Sequence, residues 1–92
     1  MKLAVNALSF GPKIGINMDL MRHAESLGFD SAWTAEAWGN DAVTTATWIS
    51  AQTTKLKVGT AIMQMPARTP AMTAMTATTL NQLSEGRFLL GL

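Results

Sequence analysis

The sequence contains no cysteine and only one histidine among its 92 residues. Without cysteine, disulfide bonds, thiolate catalysis and cysteine-based metal sites are excluded. The single histidine, His23, falls in the middle of a predicted helix, on the side away from any strand end, so we expect no catalytic role for it. No group of histidines or carboxylates has the spacing of metal ligands, so no metal site is predicted.

Charged residues are also scarce. They make up 14% of the chain, against about 25% in a typical soluble domain. The formal net charge is +1 and the seven lysines and arginines are scattered, so nothing favours binding to nucleic acid or to an anionic membrane surface. Apolar residues make up 48% and include seven methionines. A short chain with this balance leaves apolar surface uncovered, so we expect a homo-oligomer.

Long hydrophobic runs are absent as well. The longest uncharged stretch, residues 69–84, is rich in threonine, and it is too short and too polar to span a bilayer. The N-terminus has one lysine and then a short apolar stretch broken by Asn6 and Ser9, which suits a first strand better than a signal peptide. We therefore expect a cytoplasmic protein that does not contact a membrane.

The sequence does contain a strand–helix unit, repeated about three times and followed by a last strand. The strands are predicted at residues 2–8, 30–35, 56–63 and 87–92, and their spacing of roughly 27–30 residues is the length of one β/α unit. Right-handed crossovers make such strands parallel. A closed (β/α)8 TIM barrel needs about 250 residues. We therefore expect an α/β fold: one partial-barrel domain over residues 1–92, a parallel (β/α)3β4 part of a TIM barrel with its helices on the outer face.

Three helices are predicted between the strands. The first covers about residues 17–27 and ends at Gly28, where a left-handed conformation suits glycine. The second begins at Asp41, a capping residue. The third begins at the Thr69–Pro70 pair and runs to about residue 84. The residues expected on its buried side are Met72, Met75, Leu80 and Leu83.

The richest candidate site follows the second strand, because ligands bind at the carboxyl ends of the strands in parallel β/α sheets. There Glu36 lies between Trp33 and Trp38. Indole faces can support a flat conjugated ring, and a carboxylate can accept a hydrogen bond from it. The alternative is that the tryptophans pack in the core and Glu36 is a solvated loop charge. Arg68 could meet a phosphate or a carboxylate, but a lone exposed arginine is usually solvated.

The residue types leave several interpretations open. The third strand end, residues 59–66, has no proton-transfer group and would serve a ligand only through backbone shape and methionine contacts. The serines have no matching base for a hydrolase triad, and no glycine-rich phosphate loop is present. Three interpretations remain. The chain is part of an enzyme, or it is a small flavodoxin-like domain with helices on both faces. The third is a non-catalytic barrel fragment that completes its core by self-association through exposed sheet edges and apolar surface.

Three segments together carry a resemblance to a known family: KLAVNAL, AESLGFDSAWTAEAWGNDAVT and KVGTAIMQMPARTPAMTAMTATTLNQLSEGRFLLGL. The chain resembles the N-terminal part of a luciferase-like monooxygenase, most closely the branch of oxidoreductases that use the deazaflavin F420. The resemblance covers essentially the whole chain, and the run from Val58 to Leu92 is its most specific part. It implies a (β/α)8 barrel that binds F420 or FMN at the carboxyl ends of the strands. Such enzymes transfer a hydride, or activate oxygen when the carrier is a flavin.

The resemblance also implies particular site residues. A non-prolyl cis peptide at Ala61–Ile62 would form a bulge that presses on the middle of the cofactor ring. Glu36 matches the acid of an acid–histidine pair and is the candidate catalytic residue, although Ala37 stands where the histidine would be. The cofactor-binding residues implied by the resemblance are Asn6, Leu8, Glu36, Ala61, Ile62 and Met63. Asn6 and Leu8 match first-strand positions that face the substrate pocket.

The family's phosphate-binding positions lie in later strands and loops, and none of them occurs in this sequence. The resemblance therefore implies only the ring-contacting wall of the pocket. A partial pocket loses most of the enclosure that a small-ligand site provides, so we expect the chain by itself to be incomplete as a catalyst. F420 or FMN is the cofactor of the full-length family, and this chain by itself need not bind either.

Overall fold

The structure is a computed structural model that describes residues 1–9, 11–37 and 39–92. Within these residues, strands and helices alternate along the chain. The strands are β1 (Ala4–Asn6), β2 (Ser31–Thr34), β3 (Lys57–Thr60) and β4 (Phe88–Leu89), and the helices are α1 (Met18–Ser26), α2 (Ala42–Ala51) and α3 (Pro70–Leu83). A 3₁₀ turn over Met65–Ala67, which the sequence patterns did not predict, precedes α3.

The strands form one parallel sheet in the order β1-β2-β3-β4. Val5 pairs with Ala32 between β1 and β2, and Val58 pairs with Phe88 between β3 and β4. A sequential strand order with a helix in each crossover is that of a β/α barrel wall. The predicted parallel (β/α)3β4 arrangement is confirmed. The flavodoxin-like alternative is wrong, because an open sheet of that kind reverses its strand order and carries helices on both faces.

All three helices pack against the same face of the sheet. One buried cluster contains Met21 of α1, Ile49 of α2 and Leu80 of α3 together with the strand residues Ala32 and Val58. Helices lie outside the sheet in a β/α barrel, so this face corresponds to the outer one. The expectation of helices on the outer face is confirmed.

The helix boundaries follow the capping residues that the sequence predicted. Asp41 accepts a hydrogen bond from the backbone N–H of Thr44 at 2.6 Å and caps α2. Thr69 accepts one from the N–H of Met72 at 3.1 Å and caps α3. After α1, Gly28 has φ +81°, a left-handed conformation that glycine adopts at little cost.

The strands are shorter than predicted, although backbone pairing continues past their ends. These further hydrogen bonds run from the N–H of Ala7 to the carbonyl of Trp33 at 2.9 Å, from Ala61 to Thr34 at 2.6 Å and from Met63 to Gly91 at 2.8 Å. The carboxyl ends of neighbouring strands are therefore held together beyond the regular ladder, and this is the edge at which the candidate site was expected.

The predicted buried side of α3 is wrong at three positions. Leu80 is buried, but Met72, Met75 and Leu83 are 50%, 64% and 74% exposed. With Val43 of α2 they line a groove on the outer surface. The helix consists mainly of alanine, threonine and methionine and has no charged residue, so the hydrophobic spacing did not distinguish the face that meets the sheet from the one that lies beside α2.

At the opposite edge, the amino ends of the strands, Glu25 binds the loop before β3. One of its carboxylate oxygens accepts hydrogen bonds from three consecutive backbone N–H groups, at 2.8 Å from Thr54, 2.5 Å from Lys55 and 2.8 Å from Leu56. Burial by itself raises the pKa of Glu25, but these hydrogen bonds outweigh it and the pKa lies below its ordinary value. Glu25 thus anchors α1 to the start of β3.

Candidate functional site

The sheet face opposite the helices carries a row of register partners that includes Asn6, Trp33 and Gly59. Side chains alternate between the two faces of a strand. Because Ala32 and Val58 belong to the helix-facing core, the residues of this row point to the other side. In a barrel this is the inner face, and ligands meet it at the carboxyl ends of the strands.

The indole of Trp33 lies on the inner face, directly against Gly59. A Cβ atom added at Gly59 would lie 2.5 Å from Cζ3 of the ring, so any larger residue there would force the indole to move. The indole Nε1–H donates a hydrogen bond to Oγ of Ser31 at 2.9 Å, which fixes the orientation of the ring. Trp33 thus belongs to the inner face of the sheet and is not part of the buried cluster under the helices. Trp38, the second predicted aromatic platform, lies outside the described residues, as does Phe10.

The segment that follows β3 has the geometry implied by the family resemblance. The peptide bond between Ala61 and Ile62 is cis. Ala61 is exposed and Ile62 is 49% exposed, whereas Met63 is fully buried. Of the three residues expected to contact a cofactor here, Met63 would therefore reach a surface ligand only through its backbone.

The end of β1 contributes Asn6 and Leu8. Oδ1 of Asn6 accepts a hydrogen bond from the N–H of Leu8 at 2.9 Å, so the two residues form one local turn. Both are exposed, Leu8 at 42%. Leu8 also lines a cavity of about 320 Å³ between the loops that follow β1 and β2, together with Ala35 and Asn40. The structure thus brings the two predicted first-strand residues to the edge at which β2 ends.

Glu36, at the end of β2, is held by Arg68. Nη1 of Arg68 donates to Oε2 of Glu36 at 2.9 Å and Nη2 donates to Oε1 at 2.6 Å, and Nη2 also contacts the carboxylate of Asp41. The side chains of Glu36 and Arg68 are only 9% and 17% exposed. The expectations of a solvated loop charge at Glu36 and of a solvated arginine at Arg68 are both wrong.

Two backbone N–H groups complete the surroundings of the Glu36 carboxylate. Gln64 donates to Oε2 at 2.7 Å and Ala42 donates to Oε1 at 3.1 Å. The hydrogen bonds from Arg68 are the largest cause that lowers the pKa of Glu36, burial opposes them, and the pKa falls to about 2. A carboxylate with so low a pKa is a weak proton acceptor at neutral pH. The carboxylate of the predicted catalytic residue is thus bound by four hydrogen bonds from the protein itself.

The sequence reasoning did not identify two buried threonines at the strand ends. The hydroxyl of Thr34 donates to the carbonyl of Ala42 at 2.9 Å. The hydroxyl of Thr60 donates to the carbonyl of Gly91 at 2.9 Å and accepts from its N–H at 3.0 Å. A Cβ at Gly91 would collide with the backbone carbonyl of Thr60. The available signal was a glycine inside a predicted strand, which often marks a close backbone approach.

Within the described ranges, the structure holds no group of three histidine, cysteine or acidic side chains that could bind a metal ion. Among those same residues, no helix has the length and apolar character that crossing a membrane requires.

Comparison with known proteins shows which family has a similar sequence. The family of luciferase-like monooxygenases matches residues 1–92. A Mycobacterium tuberculosis protein named as a coenzyme F420-dependent oxidoreductase is 49% identical over 74 residues, which are 80% of this chain and 21% of that protein. The chain therefore spans about a fifth of the length of this relative.

Two solved structures share the fold. The coenzyme F420-dependent tetrahydromethanopterin reductase from Methanopyrus kandleri superposes with a TM-score of 0.76 at 26% identity, over 97% of this chain and 26% of that one. The oxygenating constituent of 3,6-diketocamphane monooxygenase from Pseudomonas putida, solved with FMN, superposes with a TM-score of 0.78 at 19% identity, over 98% of this chain and 28% of that one. Both similarities cover the parallel sheet and its helices. Because the family match extends over every residue, the chain belongs to the luciferase-like monooxygenases.

Proposed function

We propose that residues 1–92 are a single partial-barrel domain that forms one wall of the cofactor pocket of an F420- or FMN-dependent oxidoreductase. The observation that carries the proposal is the convergence of Asn6, Leu8 and Ile62, all exposed, at the carboxyl edge of the sheet. Apolar side chains with a few polar groups among them are typical of small-molecule sites. The names of the M. tuberculosis and M. kandleri relatives support F420, and the P. putida structure contains FMN.

The residues present fit the ring of such a cofactor better than its phosphate-bearing tail. Leu8 and Ile62 offer exposed apolar surface that a flat conjugated ring can cover. Arg68, which could otherwise meet a phosphate, already donates to Glu36 and Asp41 and is mostly buried. The chain therefore provides a wall for the ring, and binding of the tail requires groups other than these.

When bound, the cofactor would supply the redox chemistry, which is hydride transfer for F420 and either hydride transfer or oxygen activation for FMN. The residues of this chain would hold and orient the ring. Leu8 and Ile62 would exclude water from one side of it, and the amide of Asn6 would present a polar group beside them. Glu36, ionised and fully engaged by its partners, would keep the strand ends in place instead of moving a proton.

Titration of the purified protein with FMN and with F420 tests this proposal, with ring absorbance and fluorescence as readouts. We expect saturable binding with a Kd of about 10 µM or tighter if the wall alone retains the ring. Leu8→Ala should weaken that binding. Leu27→Ala is the matched control, because Leu27 is also exposed but follows α1 at the other end of the sheet. An unchanged ring spectrum, or equal effects of the two variants, would count against the proposal.

We further propose that two copies of the chain associate through the groove between α2 and α3. Neither helix carries a charged residue, and Met72, Met75 and Leu83, which line the groove, are 50%, 64% and 74% exposed. A helix without a charged face is normally covered by other protein. An uncharged surface also has no electrostatic conflict with a second copy of itself, as a twofold symmetric dimer requires.

Sedimentation velocity distinguishes this contact from pairing through the sheet edges. A dimer that Met75→Glu dissociates and Thr78→Glu leaves intact would support the groove, because Thr78 is exposed on α3 but lies outside the groove. A dimer that resists both substitutions would point to the free edges of β1 and β4. A wild-type monomer near 9.8 kDa would overturn the proposal of self-association.

A further inference from the structure

Glu36 forms hydrogen bonds to the segment after β3 through both its main chain and its side chain. Its backbone N–H donates to the carbonyl of Ile62 at 3.1 Å, and its Oε2 accepts from the N–H of Gln64 at 2.7 Å. A single residue at the end of β2 therefore binds two polar groups on either side of Met63. Such paired contacts restrict where the intervening backbone can lie.

The same two segments are joined a second time through Gln64. Its side-chain Nε2 donates to the carbonyl of Ala37 at 3.1 Å. On the other flank, the N–H of Met63 donates to the carbonyl of Gly91 at 2.8 Å. Residues 62–64 are thus held from the β2 side by Glu36 and Ala37 and from the β4 side by Gly91, although they lie outside the regular sheet.

The carboxylate of Glu36 has little capacity left for a ligand. An ionised carboxylate has about four acceptor positions, and here it receives two hydrogen bonds from Arg68 and one each from the backbone of Gln64 and Ala42. Its side chain is 9% exposed. These contacts all come from the protein, so the carboxylate is part of the framework of the site and does not point into open space.

We infer that Glu36 is a positioning residue. Its carboxylate, whose charge Arg68 neutralises, fixes the position of residues 62–64 and thereby that of the exposed Ile62 side chain. The functional part of this inference rests on the proposed cofactor wall. The structural part stands on the hydrogen bonds alone. If it is correct, losing the carboxylate charge should loosen residues 62–64 locally, and any ring binding should weaken because Ile62 is no longer held in one position.

Arg68 makes this role possible because it supplies a matching cation to a carboxylate that is largely removed from water. Arg68 immediately precedes Thr69, the capping residue of α3, so the guanidinium connects the start of α3 to the end of β2. A planar fork that gives two parallel hydrogen bonds fixes orientation as well as charge. Lysine, with a single ammonium group, cannot reproduce that geometry.

Backbone amide hydrogen exchange of Glu36→Gln tests the inference without any cofactor. We expect exchange at Gln64 and its neighbours to accelerate by about 10-fold or more, because the charged acceptor of the Gln64 N–H is lost. Protection within β3, at Val58 and Gly59, should remain. Glu25→Gln is the matched control: that carboxylate also accepts backbone N–H groups, but at residues 54–56, so its loss should accelerate exchange there and not at Gln64.

Titration of the same variants with FMN and with F420 separates the two parts of the inference. Both parts would be supported by ring binding that is weaker in Glu36→Gln and unchanged in Glu25→Gln. In the exchange experiment, Glu36→Asp should then partly restore the protection at Gln64. If wild-type protein binds neither ring but Glu36→Gln still loosens residue 64 selectively, the proposed function fails and the positioning role stands. Exchange at Gln64 that is unchanged in Glu36→Gln would overturn the positioning role, as would loosening spread evenly over the whole sheet.

Discussion

Arg68 and Glu36, which lie 32 residues apart in sequence, are joined by two parallel hydrogen bonds between a guanidinium and a carboxylate. The pair connects the start of α3 to the end of β2, and the same carboxylate binds the backbone of Gln64 after β3. Three consecutive segments of the barrel wall therefore meet at one buried anion.

Stability should fall in acid because of Glu36. The pKa of Glu36 is about 2 in the folded protein against an ordinary value of 4.5, so its contribution is fully present above about pH 4.5 and is lost as the pH falls toward 2. The contribution is on the order of 3 kcal/mol at most. Urea unfolding at a series of pH values should show a smaller decline between pH 4.5 and 2 for Glu36→Gln than for wild type. Glu25, whose pKa is also lowered, should supply a part of the decline that persists in the variant. Identical pH profiles would contradict the role assigned to the pair.

Arg68→Lys should destabilise the protein by about 1–3 kcal/mol, because a lysine keeps the charge but loses the two-point contact with a mostly buried carboxylate. Arg22→Lys is the matched control. Arg22 pairs with Asp19 at 3.2 Å, but those side chains are 49% and 96% exposed, and exposed pairs contribute less than about 1 kcal/mol. Chemical denaturation measures both changes. Equal effects of the two substitutions would mean that the Arg68 contact is as weak as a surface pair.

Gly91→Ala should be strongly unfavourable, because its new Cβ would collide with the backbone carbonyl of Thr60, which cannot move away as a flexible side chain can. Overpacking of this kind typically costs about 1–3 kcal/mol. Gly15→Ala provides the control, since no atom lies within 4 Å of the added Cβ. Thermal unfolding of the two variants compares them, and a Gly91→Ala protein as stable as Gly15→Ala would show that the strands approach less closely at that point.

Two apolar substitutions on the outer helices should differ sharply in a dilute, monomeric sample. Ile49 is fully buried in α2, so Ile49→Ala should cost about 2–5 kcal/mol. Met75 is 64% exposed on α3, so Met75→Ala should change the free energy of unfolding by no more than about 0.5 kcal/mol. Urea denaturation at low protein concentration measures both. A large cost for Met75→Ala under those conditions would restore the prediction, made from spacing alone, that this side of α3 is core.

Local features of the sequence determined the order of the elements and most of their ends. Asp41 and Thr69 cap their helices and Gly28 follows α1 as predicted, because capping and left-handed turns depend on residues only a few positions apart. The spacing of the strand–helix units likewise indicated parallel strands in sequential order, since short connections and right-handed crossovers leave few other arrangements.

The tertiary structure alone decided which groups meet. Leu83 lies one helical turn after buried Leu80 and is nevertheless 74% exposed, in a helix that carries no charged residue, so only packing against α2 and the sheet could select the buried side. Glu36 and Arg68 carry no local sign that they will pair, because their contact depends on the register of β2 and β3 and on the path of the chain into α3. Sequence-local forces thus determine where elements form, whereas the pairing of distant charges and the burial of one helix face arise only when the elements pack together.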